Sequence, residues 1–262
     1  MAPTTRQQQI LSLLEAQGIA AISEIAEKFD VSDETIRRDL KVLSADGIVE
    51  KFHGGVRLSQ SSAEPPFERR LNEAADAKAK IAARAAKYIC EGATVLLDNS
   101  STACFLAREL VHRERISVLT ISLEIARIFA SANSRHRVIL PGGELRAEDQ
   151  TLTGVRTIEF LSRFTPTYFV TSMVAGSPRG CYDFDLFEAE FKQAMIPQAE
   201  QTIVLMDSSK FEKSGLIRVC DWSEVDVLVS DKVPDGIAAE LEHGHVLLAD
   251  GTNGTDGADD HA

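Results

Sequence analysis

The stretch VSDETIRRDLKVLSADGIVEKFHGGV, Val31 to Val56, decides how the first part of the chain folds. Ser32 stands where an N-cap belongs, and Asp33 and Glu34 follow in the first turn, where the helix dipole favours carboxylates. Ile36, Leu40 and Leu43 recur at i, i+4 and i+7 and make one buried stripe. Thr35, Arg37, Arg38 and Lys41 fall off that stripe, and Asp39 reads as a residue that orients an arginine. GIVEKFHGGVRLS then places short apolar-bearing segments on either side of Gly54-Gly55, the pattern of a hairpin.

Upstream, RQQQILSLLEAQG sets Ile10, Leu13, Leu14 and Ala16 near helical spacing and stops at Gly18. AAISEIAEKFD follows, with Ser23 as candidate N-cap and Ile25, Ala26 and Phe29 on one face. Three helices closed by a hairpin form the winged variant of helix-turn-helix, in which the helix from Ser32 enters the major groove. Adjacent helical residues point about 100° apart. Arg37 and Arg38 therefore make different contacts, and one can read a base edge while the other holds phosphate.

The charge argues for placement rather than bulk attraction. The chain carries a formal net charge of -12, and residues 1–60 hold 7 Lys+Arg against 9 Asp+Glu. No positive field steers the head to nucleic acid, so any DNA contact depends on where individual cations sit.

SQSSAEPP is a polar, proline-containing linker. The expected organisation is a winged helix-turn-helix over 1–58, a linker over 59–72, an α/β domain over 73–250 and a disordered tail over 251–262. Beyond the linker, apolar runs alternate with helical stretches. They are ATVLLD (93–98), ISVLTI (116–121), RVILPG (137–142), YFVTSM (168–173), TIVLMD (202–207), VDVLVSD (225–231) and HVLLAD (245–250). Near-continuous apolar strands alternating with helices predict a mainly parallel sheet covered by helices.

Open α/β sheets bind ligands beyond the carboxyl ends of their strands. Those ends here are Asp98-Asn99-Ser100-Ser101-Thr102, Thr120-Ile121-Ser122, Pro141-Gly142-Gly143 and Asp207-Ser208-Ser209-Lys210. Hydroxyls and free N–H groups at the start of the helix ACFLARELV suit an anion such as phosphate. Lys210 offers a cation, and Gly142-Gly143 lets backbone approach a ligand. In DFDLFEAEFKQAM, Asp185 reads as a helix cap, and Glu188 and Lys192 read as a surface i, i+4 ion pair.

Other features are plain. Cys90, Cys104, Cys181 and Cys220 are widely spaced and read as reduced, buried thiols of a cytoplasmic protein. His243 and His245 alternate across a strand end without metal-ligand spacing, and Trp222 reads as core or interface. No cofactor or metal is expected. No run is long and apolar enough to span a membrane, and the first residues lack the order of a secretory signal.

ETIRRDLKVLSADGIVEKFHGGV resembles the DNA-binding head of the DeoR family of bacterial repressors. LLDNSSTACFLARELV, LTISLEIA, LPGGELR, FDLFEAEFKQAMI and MDSSKF follow the order of that family's sensor domain, whose fold is similar to ribose-phosphate and glucosamine-phosphate isomerases. The resemblance spans residues 5–235, and the run Phe184-Asp185…Glu188…Lys192 is similar to the glycerol-3-phosphate regulon repressor branch. It implies that Ser32, Thr35, Arg37, Arg38 and Lys41 lie at DNA, with Lys51, His53 and Arg57 on the wing. It implies an effector pocket of Asp98, Ser100, Ser101, Thr102, Thr120, Ser122, Gly142, Gly143, Asp185, Glu188, Asp207 and Lys210. The chain departs from the family pattern at Ser100, Ile121, Thr167, Ser172 and Ala175, each adding bulk or removing a polar partner near the expected pocket.

The reading is a repressor that binds double-stranded operator DNA with an inverted repeat as a homodimer or homotetramer. A small phosphorylated sugar or polyol releases it. Two alternatives stand beside it: an enzyme of the sugar-phosphate isomerase type, and a constitutive DNA-binding protein with a degenerate pocket.

Overall fold

The computed structural model describes residues 5–17, 19–45, 49–52, 55–58, 65–132, 136–213, 215–241 and 244–251. Gly18, His53, Gly54, His243 and the tail from 252 lie outside the described residues. The chain divides into two compact units, Met1–Pro66 and Phe67–Ala262.

The first unit runs α1 (Thr5–Gln17), β1 (Ile19–Ala20), α2 (Ile22–Lys28), α3 (Asp33–Ala45), β2 (Val49–Phe52) and β3 (Gly55–Leu58). Ser32 caps α3, its hydroxyl accepting the Thr35 N–H at 3.3 Å. The cap of α2 is Ala21 rather than Ser23, and the Glu24 carboxylate accepts the Ala21 N–H at 2.9 Å. This is the glutamate half of a capping box: it satisfies the N–H of the cap residue itself. Asp30 takes a left-handed φ of 51°, and the Val31 N–H reaches back to the Ala26 carbonyl, which ends α2 and turns the chain into α3.

Ile10, Leu14, Ile25, Ile36, Leu40, Leu43, Val49 and Val56 meet in one core. The stripe on α3 thus packs onto α1, α2 and the wing. β1, absent from the sequence reading, pairs antiparallel with β3 and extends the hairpin to the order β1-β3-β2. A Cβ at Gly55 would stand 2.7 Å from the Ala20 carbonyl oxygen, so this approach of β3 to β1 needs glycine.

The second unit opens with α4 (Phe67–Asn72), helical where a linker was expected, with Phe67 and Leu71 packed on the core. Apolar anchors at both ends give this segment a surface to fold on. Then come α5 (Ala75–Tyr88), β4 (Thr94–Leu97), α6 (Ser101–Leu110), β5 (Ser117–Thr120), α7 (Leu123–Ser131) and β6 (Arg137–Ile139). A hairpin of β7 (Glu144–Arg146) and β8 (Thr151–Thr153) leads to α8 (Val155–Leu161) and β9 (Tyr168–Thr171). The remainder is β10 (Ala175–Ser177), β11 (Gly180–Asp183), α9 (Leu186–Met195), β12 (Gln201–Leu205), β13 (Ile217–Cys220), β14 (Val227–Ser230), α10 (Asp235–Ala238) and β15 (His245–Leu248).

The seven apolar runs are the seven strands of one sheet, ordered β15-β14-β12-β9-β4-β5-β6, with every pair parallel. Alternate side chains enter opposite cores. Val95, Leu97, Val118, Val170, Ile203, Val227 and Leu247 join one, while Leu96, Leu119, Phe169, Val204, Leu228 and Val246 join the other. A strand buried on both faces has no polar face, which explains the unbroken apolar runs.

From β4 the chain proceeds through β5 to β6, then returns to β9 on the opposite side of β4. The crevice of the sheet therefore opens at the carboxyl ends of β4 and β9. α5 leads back to the start of β4, so its first turn lies toward the same carboxyl edge. Two expectations change here. Thr167 precedes β9 and its hydroxyl accepts the Thr94 N–H at 3.4 Å, at the amino edge of the sheet, so it does not line the crevice. Cys90 is exposed, in the turn between α5 and β4; the other three thiols are buried.

Candidate functional site

The head presents its cations as the stripe requires. On α3, Arg37, Arg38 and Lys41 are exposed and Thr35 half-buried, opposite the buried Ile36, Leu40 and Leu43. Arg38 leans toward Glu34 at 3.5 Å, an exposed pair of little energetic consequence. Ser32 and Thr35 share a hydrogen bond of 2.9 Å between their hydroxyls. On the wing, Lys51 is exposed, and Arg57 lies 2.9 Å from Glu50 with its guanidinium 6.0 Å from the Phe52 ring.

Asp39 does orient an arginine, but that arginine is Arg6 of α1. The buried carboxylate accepts from Arg6 Nε at 2.6 Å and from Gln7 Nε2 at 3.2 Å. Its hydrogen bond raises the Arg6 pKa, burial opposes this, and its charge adds to the rise. The pair ties α1 to the arginine-bearing helix across the head. Spacing along α3 alone does not reveal it, because Arg6 lies 33 residues away.

In the second unit, Asp98 is buried at the switch point and fully engaged. One oxygen accepts the Ser100 N–H at 2.9 Å; the other accepts the Thr171 hydroxyl at 2.7 Å and the Ser172 N–H at 2.9 Å. It thus pins the ends of β4 and β9 together. Ser100 caps α6, its hydroxyl accepting the Ala103 N–H at 3.1 Å. The N–H groups of Ser101 and Thr102 then have no acceptor within the helix, as in any first turn. Ser101 and Thr102 are buried, and Thr102 Oγ1 has no hydrogen-bond partner.

Asn99, between Asp98 and Ser100, belongs to the site although the sequence reading passed over its side chain. It donates to Asp149 at 3.0 Å and Glu188 at 2.9 Å, while its Oδ1 is buried without a partner. Asp149 and Glu188 are also held by Arg146, at 2.6 and 2.5 Å, and Arg146 reaches Asp185 at 3.2 Å. Arg146 lies on β7, in a hairpin the sequence reading did not find. Lys192 completes the network, 2.5 Å from Asp183 and 3.6 Å from Glu188. Glu188 and Lys192 are therefore a buried pair rather than a surface one, because α9 packs that face against the sheet. Burial alone would push the Glu188 carboxyl up, but Lys192, Asn99 and Arg146 hold it down at about 2. Burial likewise opposes the Lys192 charge, yet Asp183 and Glu188 raise its pKa above the ordinary lysine value.

The other expected pocket residues have definite roles in the fold. Thr120 Oγ1 accepts the Ser122 N–H at 3.1 Å, and Ser122 caps α7. The Gly142 carbonyl lies 3.0 Å from the Thr157 hydroxyl. A Cβ at Gly143 would stand 2.3 Å from Thr157 Oγ1 and 2.6 Å from the Thr153 carbonyl, so the protein's own packing demands that glycine. Asp185 caps α9, and Asp207 accepts the Ser209 N–H at 3.2 Å. Lys210 donates to Ser172 Oγ at 2.8 Å and the Met173 carbonyl at 2.6 Å. Ser172, one of the departures from the family pattern, is thus the residue that joins Lys210 to Asp98.

Among the described residues no cluster of His, Cys, Asp and Glu has metal-ligand geometry, and no helix is long and apolar enough to cross a membrane. Trp222 is buried and donates to the Ser177 carbonyl at 2.7 Å.

Residues 6–62 match the DeoR-like helix-turn-helix domain, and residues 73–232 match the DeoR C terminal sensor domain. The chain is 31% identical to the HTH-type transcriptional repressor CsqR of Escherichia coli, over 87% of this chain and 88% of the relative. It is 30% identical to the Escherichia coli glycerol-3-phosphate regulon repressor, over 95% of this chain and 99% of the relative. A fainter likeness links it to ribose 5-phosphate isomerase A from Methanocaldococcus jannaschii, with a TM-score of 0.38 and 18% identity over 52% of this chain and 54% of that one.

Proposed function

Because the chain belongs to the DeoR family, with both its helix-turn-helix and its sensor domain, we propose that it is a cytoplasmic transcriptional repressor whose effector is a small phosphorylated sugar or polyol. The head binds an inverted-repeat operator as part of a symmetric oligomer, since paired heads meet paired half-sites. Ser32, Thr35, Arg37, Arg38 and Lys41 contact the operator from α3, and Lys51, His53 and Arg57 from the wing. The effector binds at the switch point and lowers operator affinity by its preference for one of two states of the protein.

The observation that carries the effector reading is polar capacity left unused in a buried place. Thr102 Oγ1 and Asn99 Oδ1 are each 1% exposed without a hydrogen-bond partner, beside the first turn of α6. Buried polar atoms without partners are costly, and a ligand with several oxygens and hydroxyls would satisfy them.

Enzymatic turnover is the weaker reading on the same geometry. An isomerase needs a base poised near neutral pH. Asp98 spends both oxygens on Ser100, Thr171 and Ser172, and Glu188 is held at about 2. A carboxylate that acidic is a feeble base.

The test is thermal unfolding of the full chain against sugars and polyols, each with and without phosphate, followed by operator release with the compounds that bind. A ligand at a hundred times its Kd adds about 2.7 kcal/mol. Stabilisation by phosphorylated members, with loss of operator binding, is the expected result. Stabilisation without any change in operator affinity overturns the proposal, as does turnover of ribose or glucosamine phosphates.

A further inference from the structure

The arginines of the head differ in what holds them. Arg57 on the wing closes side-on upon Glu50, with Nε at 3.1 Å and a terminal amino group at 2.9 Å from the same oxygen. Arg38 leans toward exposed Glu34 at 3.5 Å. Arg6 is held by a buried carboxylate, and through Nε alone. Asp39 Oδ2 accepts that N–H at 2.6 Å, and Asp39 Oδ1 is taken by the Gln7 amide at 3.2 Å. Among the described residues nothing accepts from the two terminal amino groups of Arg6, although its side chain is 38% exposed. A contact that served only to neutralise Asp39 would close with a terminal amino group as well, as Arg57 does on Glu50.

A guanidinium is planar, so anchoring Nε fixes the direction in which the terminal donors point. The place of that fork on the head follows from α3. Successive helical residues stand about 100° apart. Asp39 therefore lies one such step beyond Arg38, on the flank between the exposed face of Arg37, Arg38 and Lys41 and the buried stripe of Ile36, Leu40 and Leu43. Arg6 stands against that flank. A helix is about 10–12 Å across and the major groove about 12 Å wide, so a helix seated in the groove has the phosphate walls along its flanks. A cation placed there meets backbone and not base edges. With 7 Lys+Arg against 9 Asp+Glu in residues 1–60, the head depends on such placement, and a side chain already held in position loses less freedom on binding.

We propose that Arg6, held by Asp39, grips a backbone phosphate of operator DNA at the rim of the groove that α3 enters. This rests on the DNA-binding reading above and adds to it a contact from α1. The two terminal amino groups suit the bidentate, charge-assisted pairing that phosphate oxygens accept. Such a contact carries no sequence information; it fixes how α3 sits in the groove.

The test uses full-length wild type, Arg6→Gln and Arg6→Lys with two labelled duplexes, one selected by the wild type from a random pool and one of mixed sequence. Affinity is followed by fluorescence anisotropy between about 50 and 200 mM chloride. Arg6→Gln is expected to reduce the slope of log affinity against log salt by about 1 for each bound head, on both duplexes, and to leave the ratio of the two affinities unchanged. Arg6→Lys keeps the charge and should keep the wild-type slope, with weaker binding because one ammonium replaces a fork. A purely structural pair gives another signature: Arg6→Gln binds more weakly at every salt concentration with the slope of wild type, and that result overturns the proposal. A changed ratio between the duplexes also overturns it, since it would place Arg6 at base edges. Both results leave the DNA-binding reading intact. A wild type that selects no sequence and binds neither duplex overturns that reading, and the Arg6 contact with it.

Discussion

Replacing Lys192 with methionine tests whether the sensor depends on its buried ion network. Glu188 is 5% exposed, and its pKa is held at about 2 against an ordinary 4.5. At 1.36 kcal/mol per unit, ionised Glu188 contributes about 3 kcal/mol to the folded state. The sign follows from a depressed folded pKa: this stability is fully present above the ordinary glutamate range and is lost as pH falls toward 2. Lys192 is the largest favourable influence on that carboxylate and also the 2.5 Å partner of Asp183. Lys192→Met keeps the volume but strands buried Asp183 without a cation and leaves Glu188 to Arg146 and Asn99 alone, which predicts a loss of about 3–5 kcal/mol at pH 7. Acidification should narrow the deficit, because these carboxyls take up protons at higher pH in the variant than in wild type. The assay is urea unfolding followed by Trp222, the single tryptophan, which reports the second unit alone. A loss under about 1 kcal/mol at pH 7, within the range of ordinary substitutions, would refute the reasoning. A deficit that stayed constant down to pH 4 would refute it equally.

Three further outcomes are expected. Arg37→Ala and Arg38→Ala should each weaken operator binding: the phosphate-holding arginine should reduce the salt slope by about 1, and the base-reading one should cost about 1–3 kcal/mol and relax sequence preference. Fluorescence anisotropy at several salt concentrations separates them, and normal binding by both variants would remove α3 from the interface. Asp39→Asn should release Arg6 and speed amide exchange in α1 and α3 without changing Trp222-monitored unfolding; exchange at the wild-type rate would mean the pair does not hold these helices together. Gly143→Ala should destabilise the second unit by about 1–3 kcal/mol, since its Cβ meets both a hydroxyl and a carbonyl that cannot both retreat. Wild-type urea midpoints for this variant would show that the turn after β6 has room to move.

Legibility in the sequence tracked how local the cause was. The α3 stripe of Ile36, Leu40 and Leu43 could be read because helical period and burial coincide there. The seven parallel strands could be read because burial on both faces leaves no polar alternation to confuse them. β1 is two residues long and exists only because β3 runs beside it. β10 and β11, AGS and GCYD, carry too few bulky apolar side chains to announce a strand. The head cap at Ala21 escaped notice because alanine has no side-chain oxygen, and the local hydrogen bond there is the Glu24 carboxylate accepting the Ala21 N–H.

The sequence by itself determined the three head helices with their hairpin, the seven strands of the parallel sheet, the outward placement of Arg37, Arg38 and Lys41, and the strand ends from Asp98 to Thr102. Each of these follows from periodicity, capping and turn chemistry within a few residues. Tertiary structure alone decided which charges are buried and whom they meet. Arg6 finds Asp39, Arg146 finds Glu188, and Lys192 becomes an interior cation between two carboxylates while Lys78 is buried against the Arg70 carbonyl. The free energy of a buried charge depends on neighbours within a few ångströms, and those neighbours come from elements far apart in the chain. Spacing along one helix shows Glu188 and Lys192 on a common face; only the packing of that face against the sheet removes them from water.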